Sequence, residues 1–195
     1  MDEDLEFVTL CQRGDVDAFR PLVEKHQKKM LNIAYRMIGD YEAACEVVQD
    51  AFLQAYKAIR KFRGEARFST WLCRIVINLS KNRIKQMKTR SEREGVSLDA
   101  PIETEDGQIS HDPPAQEPSA LEQMERKEIQ TAVQVCINAL EDDYREVLVL
   151  RDIQGLSYDE IGEILKVPGG TVKSRLFRAR DALREGLKEV FGERL

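Results

Sequence analysis

A helix-turn-helix pattern occupies residues 155–180, which read GLSYDEIGEILKVPGGTVKSRLFRAR. Ser157 and Glu160 have capping-box spacing, in which the serine side chain accepts from the glutamate amide and the glutamate side chain reaches back. The helix that they open is short, because Pro168 and the two glycines after it interrupt it. A short helix, a tight turn and a longer helix together predict a helix-turn-helix motif.

The longer helix is basic at its start. Between Ile164 and Arg180 the sequence has five basic residues and no acidic one. When such a helix enters the major groove of DNA, its polar side chains contact base edges and phosphates. The alternative is a solvated basic face on an ordinary helical hairpin. The residues predicted to contact DNA are Lys173, Ser174, Arg175, Phe177 and Arg178.

Phe177 is unusual, because helical periodicity places it opposite the apolar stripe that starts with Val172 and Leu176. A phenyl ring gains no core burial there, but it would contact a thymine methyl group or a sugar in DNA. A lone exposed aromatic residue is the alternative. Arg178 would then contact a guanine edge or a phosphate, with Lys173 on a phosphate.

Residues 94–118 differ in composition from the rest of the chain. They contain four of the six prolines and no aromatic residue, and the longer segment 94–125 has nine acidic residues and no basic one. Such a stretch cannot bury enough apolar surface to offset the entropy lost on ordering. We therefore predict a flexible acidic linker at 94–118, between two small domains at 1–93 and 119–195.

The net charge of −5 hides a segregation of charge along the 195 residues. Residues 1–93 carry +5, residues 94–125 carry −9 and residues 126–195 carry −1. The total therefore argues only weakly against a nucleic-acid partner, and local basic stripes decide the question.

Apolar residues recur at helical spacing on both sides of the linker, and no run shows sustained strand alternation. We therefore predict an all-α fold of two small helical domains. His26 falls on an apolar helix face and is expected to be a packed core histidine. Gly39 and Asp40 end the first long helix.

A second basic stripe follows an aromatic loop in the N-terminal half. Cations beside aromatic rings suit a separated strand, because phosphates need positive charge and unstacked bases need flat partners. The helical spacing of Phe68 and Trp71 favours a place in the core instead, whereas Gly64 gives the loop backbone freedom beside positive charges. The candidate strand-binding residues are Phe62, Arg63, Gly64, Phe68, Arg74, Asn78, Lys81 and Arg83.

The helix at residues 47–56 is apolar on more than one side. Val47, Val48 and Phe52 do not fit one narrow stripe. Either the helix is central to a bundle, or it presents an exposed face to a partner. Spacing does not choose between these alternatives.

Several classes of protein are excluded by what the sequence lacks. There is no nucleophile–base set, glycine-rich phosphate loop or zinc-protease motif, so we expect no enzyme and no cofactor. The four cysteines are scattered, so we expect reduced thiols and no metal site. The longest apolar run is four residues and the N-terminus is acidic, so we expect neither a membrane span nor a secretory signal, and a cytoplasmic location.

The chain resembles the extracytoplasmic-function sigma factors of RNA polymerase, and within them the sigma-E-like group. Three separate motifs carry the resemblance in the right order. The first is Gly39-Asp40, then Ala43-Ala44, then residues 47–56 (VVQDAFLQAY); the second is residues 62–78 (FRGEARFSTWLCRIVIN); the third is residues 155–161 and 170–180. The match extends over about residues 5–93 and 119–190.

This resemblance implies a sigma2 helical bundle, a sigma4 helix-turn-helix domain and three partners. The helix-turn-helix would read the −35 promoter element as duplex. The loop at 62–68 would take a flipped −10 base, with Asn78 beside it. Core RNA polymerase would be held through its clamp helices and flap, and an anti-sigma factor would keep the protein inactive. The residues implied to contact the clamp helices are Val47, Val48, Gln49, Asp50, Phe52, Ala55 and Tyr56.

Two other functions compete with this interpretation. A dimeric helix-turn-helix regulator would bind duplex operators without core polymerase. A nucleic-acid enzyme would need a metal or nucleophile set that the sequence does not contain. No small-molecule substrate is implied by any of these functions.

Overall fold

The computed structural model describes residues 4–94 and 120–192. These two ranges contain helices and no strand, which confirms the predicted all-α fold. A 3-10 turn, Ile59–Lys61, follows the third helix, and a π-helical turn, Val149–Ile153, continues the sixth. The helices are α1 (Leu5–Gln12), α2 (Phe19–Ile38), α3 (Tyr41–Ala58), α4 (Phe68–Glu94), α5 (Ala120–Ala139), α6 (Asp142–Leu148), α7 (Tyr158–Leu165) and α8 (Gly169–Phe191).

Residues 4–94 form the N-terminal unit, in which α2, α3 and α4 pack against one another. As predicted, Gly39 ends α2; its φ of +84° lies in the left-handed region that glycine adopts without strain. The Asp40 side chain then caps α3 by accepting from the Ala43 amide at 2.7 Å. Fully buried side chains at the centre of this unit include Leu22, Met30, Ile33, Met37, Leu72 and Val76.

Residues 120–192 form the C-terminal unit, which contains the helix-turn-helix as α7, a turn and α8. The predicted capping box is present: Ser157 Oγ accepts from the Glu160 amide at 3.2 Å, and Glu160 Oε2 accepts from the Ser157 amide at 2.9 Å. These bonds favour the carboxylate and hold the pKa of Glu160 below its usual value. The apolar stripe of α8 faces inward, with Val172, Leu176 and Ala179 buried.

The two units pack together, with α2 against α5 and α4 against α7. Arg145 is 3% exposed and joins them, because it donates to the Ile137 carbonyl of α5 and to the Met37 carbonyl of α2, each at 3.0 Å. Gln154 adds a second link by donating to Asn32 Oδ1 at 2.8 Å. The predicted linker at 94–118 lies outside the described residues apart from Glu94, the last residue of α4.

Candidate nucleic-acid interface

The outer face of α8 displays most of the residues predicted to contact duplex DNA. Phe177 is 74% exposed, and Ser174 and Arg178 are exposed beside it. Ser174 Oγ donates to the Thr171 carbonyl one turn back at 3.0 Å. The ring of Phe177 therefore contributes nothing to the core and stands at the surface between a hydroxyl and a guanidinium group.

Tyr158, at the start of α7, forms a cation–aromatic stack that the sequence interpretation missed. Lys173 Nζ lies 5.5 Å from the centre of the tyrosine ring, and the Arg151 guanidinium lies 4.8 Å from the same centre. Such contacts attract a cation to the face of a ring. The stack places two positive charges beside the start of α7.

Arg175 and Arg180 are held by acidic residues within the C-terminal unit. Arg175 is half-buried and forms an ion pair with Asp143. Arg180 forms two bonds with Asp152, at 2.9 Å and 2.5 Å, which raise its pKa. Of the two, only Arg175 was predicted to contact DNA. In this structure its guanidinium lies against a carboxylate instead of on the open face of α8.

Phe62, Phe68 and Trp71 form an aromatic cluster between the loop and the start of α4. The ring centres of Phe62 and Trp71 are 5.0 Å apart, and those of Phe68 and Trp71 are 5.8 Å apart. Phe68 is 1% exposed and belongs to the core, while Phe62 is half-buried at its edge. The core alternative therefore describes Phe68 correctly. Arg63 and Gly64 lie at the exposed tip of the loop.

The loop is anchored by Gln12 of α1, a residue that the sequence interpretation did not single out. Its Nε2 donates to the Ile59 carbonyl at 3.1 Å and to the Phe62 carbonyl at 2.8 Å. A cleft opens between this loop and α7, with Phe62 and Gly64 on one wall and Glu160 on the other. The anchor holds one wall of the cleft in place.

The predicted strand-binding cations of α4 lie against the C-terminal unit. Arg74 donates to the Ile164 carbonyl at 3.3 Å and to the Glu163 carbonyl, both at the end of α7. Lys81 Nζ lies 2.6 Å from Glu146 Oε1 of α6. Burial raises the pKa of Glu146, although Lys81 opposes this. Both cations lie on α4, where Arg74 is hydrogen-bonded to backbone carbonyls of α7 and Lys81 forms an ion pair with Glu146 of α6.

Asn78 and Arg83 differ from these two cations. Asn78 is exposed on α4. Arg83 is half-exposed and donates to Glu46 Oε2 of α3 at 2.6 Å. Among the predicted strand-binding residues of α4, Asn78 is therefore the one that is exposed to solvent.

Helix α3 is apolar on more than one side because it is central to the bundle. Four of its predicted partner-contacting residues are buried: Val47, Val48, Phe52 and Ala55. Phe52 packs edge-on against Phe19 of α2, with ring centres 6.4 Å apart. Their apolar character is therefore explained by packing within the N-terminal unit.

The outward side of α3 carries the other three predicted contacts, Gln49, Asp50 and Tyr56. Leu53, which was not predicted, is 52% exposed among them. Asp50 and Leu53 line a shallow groove with Leu79 of α4. This groove combines the exposed aliphatic side chain of Leu53 with the carboxylate of Asp50.

His26 is buried as predicted, with its Nε2 2.8 Å from Asp4 Oδ2. Burial raises the pKa of Asp4, but contacts with Lys25 and His26 outweigh it and lower the pKa overall. Among the residues described, no His, Cys, Asp or Glu side chains cluster as a metal site would require. No helix in the described part of the chain is long and apolar enough to cross a membrane.

Two models of protein families match the chain, one in each unit. Sigma-70 region 2 matches residues 22–90, and Sigma-70 region 4 matches residues 130–183. Region 2 thus spans α2, α3, the aromatic loop and most of α4. Region 4 spans the helix-turn-helix. Both models describe parts of transcription initiation factors, and neither describes a catalytic domain.

Curated relatives match over almost the whole length of the chain. The RNA polymerase sigma-H factor of Pseudomonas aeruginosa is 38% identical over 192 residues, which is 98% of this chain and 97% of the relative. The ECF RNA polymerase sigma factor SigW of Bacillus subtilis is 38% identical over 184 residues, 92% of this chain and 94% of the relative.

A solved structure also resembles the described fold. It is the sigma factor RpoE in complex with the anti-sigma factor NepR from Bartonella quintana, with a TM-score of 0.62, 25% identity and coverage of 89% of this chain and 98% of that one. Fold, family models and near-full-length relatives agree. The chain belongs to the extracytoplasmic-function family of RNA polymerase sigma factors.

Proposed function

We infer that the chain is an alternative sigma subunit, which binds core RNA polymerase and directs it to specific promoters. The observation that carries this inference is the presence of both sigma-70 regions, in order, on one chain whose relatives match it over 92% or more of its length. A duplex-reading surface and a cationic helix beside an aromatic loop are the surfaces that such a function requires.

For the −35 element, we assign direct readout to the open face of α8. Phe177 would contact a thymine methyl group or a sugar, and Arg178 a guanine edge or a phosphate. Lys173, held over Tyr158, would position the helix on the DNA backbone. Arg175 would contact the DNA backbone only after its ion pair with Asp143 is broken.

For the −10 element, we assign recognition of the separated strand to the loop at residues 62–68 and to α4. The exposed tip with Arg63 and Gly64 would take the flipped base, and the half-buried Phe62 would border it. From its position on α4, Asn78 would form a hydrogen bond with the separated DNA strand. Arg74, Lys81 and Arg83 would contact the phosphates of that strand. Phe68 supports this site from the core.

For core polymerase, we assign the clamp-helix contact to the outward side of α3. Gln49, Asp50, Leu53 and Tyr56 are its exposed residues. Val47, Val48, Phe52 and Ala55 would act indirectly, by fixing the position of the helix. The C-terminal unit would bind the polymerase flap.

We further propose that the domains end where the composition changes, at 1–93 and 119–195, and that an anti-sigma factor controls the protein. A similar structure is described as a sigma factor in complex with an anti-sigma factor, which supports this. The protein would act in the cytoplasm, where polymerase and promoter meet.

The test compares promoter binding by the chain alone with binding by the chain and core polymerase. A sigma factor is expected to bind duplex promoter tightly only with core, whereas a dimeric regulator would bind equally well without it. Asp50→Arg should weaken copurification with core. Glu42→Arg, an exposed change of the same charge on the same helix, is the matched control. If both variants copurify like wild type, the clamp contact is assigned to the wrong face.

A further inference from the structure

Two of the α4 residues that the proposed function assigns to the separated strand, Arg74 and Lys81, face the C-terminal unit, whereas Asn78 is exposed. Arg74 donates to two carbonyl groups at the end of α7, those of Glu163 and Ile164. Lys81 Nζ is 2.6 Å from a carboxylate oxygen of Glu146. Carbonyl and carboxylate oxygens thus take the places that phosphate oxygens would take on a bound strand.

Two weaker pairs extend this arrangement in both directions. Arg67, just before α4, lies 3.7 Å from Glu160 of α7. Lys88, near the end of α4, lies 3.8 Å from Asp142 of α6. At about 1.5 Å per residue, the row of cations is about 30 Å long. Four cations therefore meet oxygen acceptors of α6 and α7 along most of the helix.

The contact between the units is also closely packed. A Cβ atom placed on Gly39 would lie 2.1 Å from Asn138 Nδ2, so α2 ends directly against α5. The Glu146 side chain is only 3% exposed, and a buried carboxylate is costly without its cation. Both features show that the two units are in close contact in this structure.

We propose that the C-terminal unit is an intramolecular competitor of the −10 strand. In the free chain, oxygen acceptors of α6 and α7 hold Arg74 and Lys81 of α4, and a separated strand binds these two cations only after the two units part. The identity of α4 as the strand-binding helix rests on the proposed function, whereas the closed arrangement of the units does not. Core polymerase would contact both units, and the free energy of that binding would separate them.

Closure is measured in the full-length free chain by resonance energy transfer between two dyes. One dye is placed on Cys45, the exposed cysteine of α3, and the other on a Val190→Cys variant at the exposed end of α8. Glu146→Lys sets two positive charges against each other at Lys81. Asn138→Trp acts without charge, as a wedge against Gly39. Each variant should lower the transfer efficiency relative to wild type.

Strand binding is measured on the same variants by fluorescence anisotropy. The probe is a labelled single-stranded oligonucleotide that carries the −10 region of a promoter transcribed by the holoenzyme. If about one chain in ten is open at equilibrium, opening raises the apparent affinity about tenfold. Glu185→Lys, an exposed change of equal charge on α8, controls for the added positive charge and should alter neither measurement.

Lower transfer efficiency together with tighter strand binding in both variants would support the proposal. Unchanged efficiency in both variants would show that the free chain is not closed. Lower efficiency without tighter binding would show that closure does not compete with the strand. Promoter-specific transcription by wild-type chain and core is a separate measurement, so a failure here is distinguishable from a failure of the proposed function.

Discussion

Replacing Phe177 with alanine tests the assignment of the −35 surface. An aromatic side chain has about 200 Å² of surface. Since Phe177 is 74% exposed, about 150 Å² of it is available to DNA. If half of that area is covered on binding, at about 25 cal/mol per Å², the loss is about 2 kcal/mol. We therefore expect Phe177→Ala to weaken holoenzyme binding about 30-fold without destabilising the fold.

The assay is binding of the reconstituted holoenzyme to a panel of fluorescent promoters with single-base changes in the −35 element. The loss should be concentrated at particular base pairs, because a thymine methyl contact is lost only where a thymine stands. Val190→Ala removes an exposed apolar side chain from the far end of the same helix and should change nothing. Wild-type affinity of Phe177→Ala on every template would refute the assignment.

Three further predictions address the strand, the packing and the cysteines. Asn78→Ala should reduce promoter opening more than initial duplex binding, because this residue meets a strand only after separation; permanganate footprints equal to wild type would contradict this. Arg145→Met removes hydrogen bonds to four carbonyl groups, three of them in buried contacts, and should cost about 3–5 kcal/mol in urea unfolding, against less than about 0.5 kcal/mol for the exposed Arg184→Met; equal losses would refute it. Burial raises the pKa of Cys73 to about 12, so a thiol reagent at neutral pH should modify Cys45 much faster, as followed by mass spectrometry; equal rates would show that Cys73 is accessible.

Local signals in the sequence were sufficient to predict the start of α7 and the end of α2. The capping box at Ser157 and Glu160 and the left-handed Gly39 are short-range devices, because each involves residues within one helical turn. The outward position of Phe177 follows from periodicity in the same way. These features depend on neighbours in the chain and are therefore visible without the fold.

Contacts between distant parts of the chain were not predictable in this way. Lys81 and Glu146 are 65 positions apart, and neither carries a sequence signal for the other. Periodicity also could not decide whether the apolar sides of α3 face a core or a partner. Phe52 is buried because α2 and α4 both pack on that helix, which only the tertiary structure shows.

We infer that this chain gives core RNA polymerase its promoter specificity. Run-off transcription with purified core polymerase tests it most directly, on templates with and without intact −35 and −10 elements of a target promoter. We expect a discrete transcript only when chain, core and both elements are present. A transcript that is independent of the chain would show that the chain does not provide this specificity. Core polymerase that remains inactive with the chain on promoters across the genome would show the same.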